Sequence, residues 1–392
     1  VSDPGPAEAN DPFRGMPLFG DLARMLQNQG PVSWDAARQF ALMVATDGAP
    51  ESNVDPTERF RWQDLTRVAE LHVGATLGLD TVVAGRPAEI VPVTRSAWAL
   101  RTLEEYRPLF EGLAGALGRA PHPSAPAADP TAAMLGGLFQ MLGPALLGMS
   151  AGSMVGHLAT RCFGAYDLPI PRAASHELLV LPVNVQQFAD DWSLPVEDLR
   201  LWVCLQELAH HAVLAVPHVR AELSHLLSSF VSAFRPDPDA LMARLGEIDP
   251  TDPASISGLQ ATLGNPDVLL GAMETRTHHE LRPRLDALVA VIVGVVDHVL
   301  DRTSTGLLGA GGRIGEAVRR RRLEADPSDV FVERLLGLTL TRTAVERGAA
   351  FVDGVVERAG ADGLARLWEA ETNLPTPAEV DAPGLWLARI DL

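Results

Sequence analysis

Residues 205–211 read Leu205-Gln206-Glu207-Leu208-Ala209-His210-His211. An E-x-x-H run on a helix is the back half of H-E-x-x-H, in which two histidines on one face hold zinc and the glutamate acts as general base. Glu207 stands at the base position and His210 at the second ligand position, but Gln206 takes the place of the first histidine. Upstream, Pro195 suits the first turn of a helix, and Glu197 and Asp198 complement the helix dipole there. Winding this helix at about 100° per residue puts Leu199, Trp202, Val203, Gln206, His210 and Val213 on one stripe, with Glu207 at its edge. Polar side chains on an apolar face need partners, since each one buried alone costs about 1–3 kcal/mol. A metal, a water or a neighbouring side chain would each serve.

Chance copies of E-x-x-H are common, and Glu222-Leu223-Ser224-His225 is a second one. Two such elements on facing helices are the ligand pattern of di-iron bundles. Here they are separated mainly by Pro217, with too little chain for an antiparallel pair. His211, His218 and His225 recur every seven residues, but the same proline breaks any shared face. The adjacent pair His278-His279 points two ways on a helix.

Outward from the motif, helical periodicity dominates. Helices are expected over Leu18–Gln29, Trp34–Ala45, Thr57–Leu77 (with Leu65, Val68, Ala69 and Leu71 among its apolar positions), Ser96–Leu117, Arg284–Arg302, and Ser328–Gly360 with a break near Gly337. Two strands are expected, Glu89–Thr94 and Glu177–Val183, the second just upstream of the motif helix. Residues 130–160 carry no charge, and Gly148, Gly152 and Gly156 form a small-residue stripe. Pro144 interrupts the segment, Gln140 and His157 are polar, and no basic flanks mark a topology, so a buried helix pair is expected rather than a membrane span. Residues 1–15 read as a disordered tail and 16–392 as one domain, with a proline- and aspartate-rich surface excursion at about 233–256.

A net charge of −18 argues against a phosphate backbone or an anionic membrane as partner. Cys162 and Cys204 are too few for a disulfide scaffold and read as buried thiols. The acidic, proline-bearing start lacks the features of a secretory signal, and the expected location is the cytoplasm. Arg319–Arg322 reads as a solvated helix face. No phosphate-binding glycine loop or G-x-S-x-G elbow occurs.

In their order, several stretches are similar to the actinobacterial zincin-like metallopeptidase family, whose members are often labelled hydrolases and include relatives linked to deazaflavin coenzyme biosynthesis. They are Gly30-Pro31-Val32-Ser33-Trp34-Asp35, Phe163-Gly164-Ala165-Tyr166-Asp167-Leu168-Pro169, Leu179–Asn184, Trp202–His211, Arg319–Arg322, Gly348–Val352, Leu374-Pro375 through Pro383, and Trp386–Arg389. The resemblance implies an α+β, helix-dominated, zincin-like fold with a small sheet beside the motif helix. In complete members both motif histidines and a downstream glutamate would hold zinc. Carried over, the general base falls on Glu207, the second histidine on His210 and the first on Gln206. The downstream glutamate, in an E-G-x-x-D-like element matched by Val293-Gly294-Val295-Val296-Asp297, falls on Val293.

Catalytic zinc takes three protein ligands and a water, whose pKa falls to about 7 on the metal. A glutamine amide is a weak ligand for zinc, and valine offers none. Asp297, one turn along, is the candidate substitute ligand, with His298 and His211 behind it. The ligand chemistry favours a pseudo-peptidase without cofactor, in which Glu207 is vestigial and Gln206 bonds His210 or Glu207 in the metal's stead. Its partner would be a protein, peptide or small ligand held in the old cleft. The alternatives are a zinc hydrolase with substitute ligands and a membrane-associated helical protein.

Overall fold

The computed structural model describes residues 30–118, 130–235 and 273–391, apart from residues 84, 324–326 and 339; the expected helix at 18–29, the tail at 1–15 and all but the first few residues of the excursion at 233–256 lie outside them. Helices α1 (Trp34–Thr46) and α2 (Pro56–Leu77) precede strand β1 (Glu89–Pro92). Then come α3 (Arg95–Glu105), α4 (Arg107–Leu117), α5 (Pro130–Arg161) and β2 (Glu177–Val180). The described elements that follow are helical: α6 (Pro182–Asp191), α7 (Val196–Ala215), α8 (Pro217–Ser232), α9 (Arg276–Leu307), α10 (Gly311–Leu323), α11 (Pro327–Leu336) and α12 (Arg342–Ala359). Short turns of helix and α13 (Pro383–Ile390) finish the chain.

Helix α7, which carries the motif, is packed against α2, α6, α8, α9 and α10. Every residue from Leu199 to Leu214 is therefore buried, where winding the sequence selected only one stripe. A neighbour on each side explains the difference, because a helix at the centre of a domain is apolar all round.

The two strands form a parallel pair in the register Ile90↔Leu178 and Val91↔Leu179. Both are shorter than the expected runs, because Pro182 opens α6 at its first turn. The expected helix Ser96–Leu117 is two helices broken at Tyr106. Pro108 has no N–H to donate and its ring clashes with the preceding turn, so a new helix starts there.

The uncharged region is one helix of 32 residues rather than a pair, and it runs through Pro144. A proline removes one bond from the ladder, and here its carbonyl accepts the Ser33 N–H at 2.8 Å. The glycine stripe has its partner inside the domain. A Cβ on Gly148, Gly152 or Gly156 would lie 2.2, 2.1 and 2.7 Å from the carbonyl oxygens of Ser33, Ala37 and Ala41 on α1. Ala37, Ala41 and Ala45 complete this close seam. The run around Val293 is helical, inside α9, and Gly294 meets Gly348 of α12 backbone to backbone. No described helix is long and apolar enough to cross a membrane.

Candidate functional site

The loop Phe163–Asp167, between α5 and β2, lies against the motif. Its backbone is bonded from several sides. Leu181 N–H donates to the Phe163 carbonyl at 2.8 Å, Trp98 Nε1 to the Gly164 carbonyl at 3.0 Å, and Arg172 Nε to the Ala165 carbonyl at 2.6 Å. Asp167 Oδ2 accepts the Phe163 and Gly164 N–H groups. Asn184 holds the end of α5 by donating to the carbonyls of Ala159 and Cys162.

Glu207 completes this set. Its Oε2 accepts the Ala165 N–H at 2.8 Å and the Tyr166 N–H at 3.1 Å, and the residue is fully buried. The carboxyl that would activate a zinc-bound water instead satisfies two backbone donors that have no ladder to join. Burial, reinforced by the charge of Asp167, pushes its pKa up to about 8 against the opposing pull of those N–H groups.

His210 donates its Nδ1–H to the backbone carbonyl of Gln206 at 3.0 Å, since a carbonyl can only accept. Its ring stacks on Tyr166 at 5.9 Å and 14° between planes. Burial lowers its pKa to about 4, so the ring is neutral at pH 7. His211 lies 3.5 Å through Nδ1 from the Tyr166 hydroxyl and is likewise lowered by burial to about 4. His218 turns to the Leu367 carbonyl, and His225 is exposed.

The expected hydrogen bond from the Gln206 side chain to His210 or Glu207 does not form: its Oε1 is buried without a partner. The two groups it was to replace a metal for are already committed, one to the helix backbone and one to the loop. Val293 is buried in the core. Asp297 is held by Arg322, whose Nη1 is 3.3 Å from both carboxylate oxygens.

Arg321 and Arg322 also correct the expectation of a solvated Arg319–Arg322 face. Arg319 and Arg320 are exposed, but the other two turn inward. Arg321 lies over the Phe163 ring at 3.7 Å and bonds Asp167 at 2.7 Å. With Asp167, Cys162, Arg161 and Glu333 they close around Gln206, leaving a cavity of about 70 Å³. That is room for a few waters and too little for a peptide.

Zinc does not fit this donor set. His210 and a glutamine amide are the motif's remaining donors, Asp297 is neutralised by Arg322, and among the described residues no three of His, Cys, Asp and Glu gather closely enough to hold a metal ion. Sequence reasoning singled out the Phe163–Pro169 stretch but not the role of Tyr166, Asp167 or Arg321. The aromatic and acidic residues beside a glycine were its one local signal.

Residues 32–387 match the family described as zincin-like metallopeptidase. The chain is also similar to a solved structure from Chloroflexus aurantiacus described as "a putative hydrolase with a novel fold". That likeness has 23% identity, covers 92% of this chain and 99% of the other, and has a TM-score of 0.62, a similarity of fold. No curated protein matches the chain.

Proposed function

We propose that this chain, which belongs to the zincin-like metallopeptidase family, is a non-catalytic member that acts by binding. The observation that carries this is the position of Glu207, whose carboxyl accepts the N–H groups of Ala165 and Tyr166 in a fully buried setting. A general base must reach the proton it removes, and this one is spent on the loop. Gln206 and Val293 at two of the three ligand positions support the same reading. The alternative, a zinc hydrolase with a substitute ligand at Asp297, must first break the Asp297–Arg322 pair. It draws on the family's description as metallopeptidase and on the hydrolase label of the similar structure, a protein with 23% identity.

The test is zinc stoichiometry by elemental analysis of untagged protein, purified without chelator from zinc-replete cells. The expected result is no stoichiometric zinc and a melting temperature that added zinc leaves unchanged. About one zinc per chain, lost in His210→Ala, would overturn the proposal.

A further inference from the structure

The chain has a formal net charge of −18, yet the surface where α10 meets the start of α12 is basic. A cleft of about 590 Å³ opens there, lined by Glu316, Arg319, Arg320 and Arg322 from α10 and by Arg342, Val345 and Glu346 from α12. Of its four guanidinium groups, Arg322 is paired with Asp297 and Arg320 with Glu316, which leaves Arg319 and Arg342 as the two least engaged cations. The cleft shares Arg322 with the cavity over Gln206 but is roughly eightfold larger, by the ratio of 590 to 70 Å³. Its size falls within the usual range for a small-ligand site, about 300–1,000 Å³.

Arg322 is held by Asp297, but Arg319 and Arg342 are not used up by the protein. Arg319 reaches Asp301 only at 3.7 Å, and Arg320 makes one close contact, 2.9 Å from Glu316 through Nε. Arg342 makes no ion pair among the described residues. Each guanidinium carries five N–H donors in a planar fork that matches phosphate or carboxylate oxygens two at a time. Arg342 is also the first residue of α12, an 18-residue helix whose N-terminal end carries partial positive charge. Loose pairing, an unpaired arginine and a helix end of the same sign converge on one concavity.

We infer that this cleft binds a small polyanion, a compact ligand carrying at least two phosphate or carboxylate groups. Two such groups match the two least engaged guanidinium groups, Arg319 and Arg342, whose forks supply the contacts. A nucleic acid is disfavoured, because the rest of the surface repels a long phosphate backbone. The inference names a ligand class for the binding role proposed above, but no metal ligand lines the cleft, so the zinc result and the anion result fail independently.

The experiment is isothermal titration of the full chain at low ionic strength with inorganic pyrophosphate and, separately, citrate. Saturable one-to-one binding of at least one is expected, weakening as salt is added. The tighter of the two identifies phosphate or carboxylate as the recognised group. In an Arg319→Ala/Arg342→Ala variant, affinity should fall about tenfold or more, the scale set by losing charge-assisted hydrogen bonds. Arg342→Ala alone, at an exposed helix start, replaces the double variant if that one fails to fold. Absence of binding by both anions at millimolar concentration overturns the inference, as does binding that the folded variants leave unchanged.

Discussion

Gly164 sits against Glu207 with no room for a side chain: a Cβ on Gly164 would fall 2.5 Å from the Glu207 carboxyl carbon. The glycine is required by this approach, and it lets the carboxyl reach the N–H groups of the next two residues. Gly164→Ala should therefore destabilise the protein by about 1–3 kcal/mol, the scale of overpacking a dense core. Urea unfolding checks this; an unchanged midpoint would show that the carboxyl can step aside.

Glu207→Gln tests the clamp itself. The amide keeps one acceptor oxygen but puts an NH2 group in place of the other oxygen, next to backbone donors. A loss of about 1–3 kcal/mol is expected. The pH dependence gives a second readout. Because the folded pKa, about 8, is raised by burial above the ordinary 4.5, Glu207 contributes stability that is fully present below pH 4.5 and is lost as pH rises through 8. Denaturation curves between pH 5 and 9 should show this decline in the natural protein and lose that component in the glutamine variant.

Acid acts in the opposite direction through the buried histidines. Burial lowers His210 and His211 to about 4 from 6.5, so each contributes stability that is present above pH 6.5 and lost as pH falls through 4. Each should cost up to about 1.4 kcal/mol per pH unit within that window. His211→Asn should flatten the slope of stability against pH between 6.5 and 4.5. An identical slope in both proteins would mean that the ring is hydrated.

The glycine seam between α1 and α5 predicts a packing defect. A methyl group on Gly152 would lie 2.1 Å from the Ala37 carbonyl oxygen, a backbone atom that cannot rotate away. Gly152→Ala should push the helices apart and lower stability by roughly 1–3 kcal/mol. Gly143→Ala, at a position where a Cβ meets nothing, should leave the melting temperature unchanged or raise it slightly. Thermal unfolding of the two variants side by side decides this.

Arg321 is expected to hold the loop. Replacing it with alanine strips the cover from the Phe163 ring and leaves Asp167 without its cation. Breaking such a partly buried pair should cost about 3 kcal/mol or less, discounted from the fully buried case by remaining solvent. Arg321→Lys should recover little, since an ammonium cannot stack flat on the ring. Near-ultraviolet circular dichroism, sensitive to the packing of Phe163 and Tyr166, follows the change alongside the melting temperature.

Much of the architecture follows from local chemistry. Periodicity locates α1, α2, α9 and the break at Gly337, where φ is +70° and a left-handed residue ends the helix. The β-branched run around Val293 falls inside the helix expected over Arg284–Arg302, and the structure agrees. The motif residues are legible one by one, because a missing histidine is a property of a single position. What each of them touches is not. Glu207 meets Ala165 and Tyr166 across 42 and 41 residues, Arg321 meets Asp167 across 154, and Gly148 meets Ser33 across 115. Hydrogen-bond donors and acceptors are interchangeable in one dimension, and any of several carboxylates could have served each arginine. Sequence alone therefore established a helix-rich chain with an E-x-x-H run preceded by Gln206. Only the folded arrangement decided that the Glu207 carboxyl bonds the loop N–H groups and that Arg321 and Arg322 turn inward, because burial on every side of α7 favours whichever partner the packing brings within reach of a polar group there.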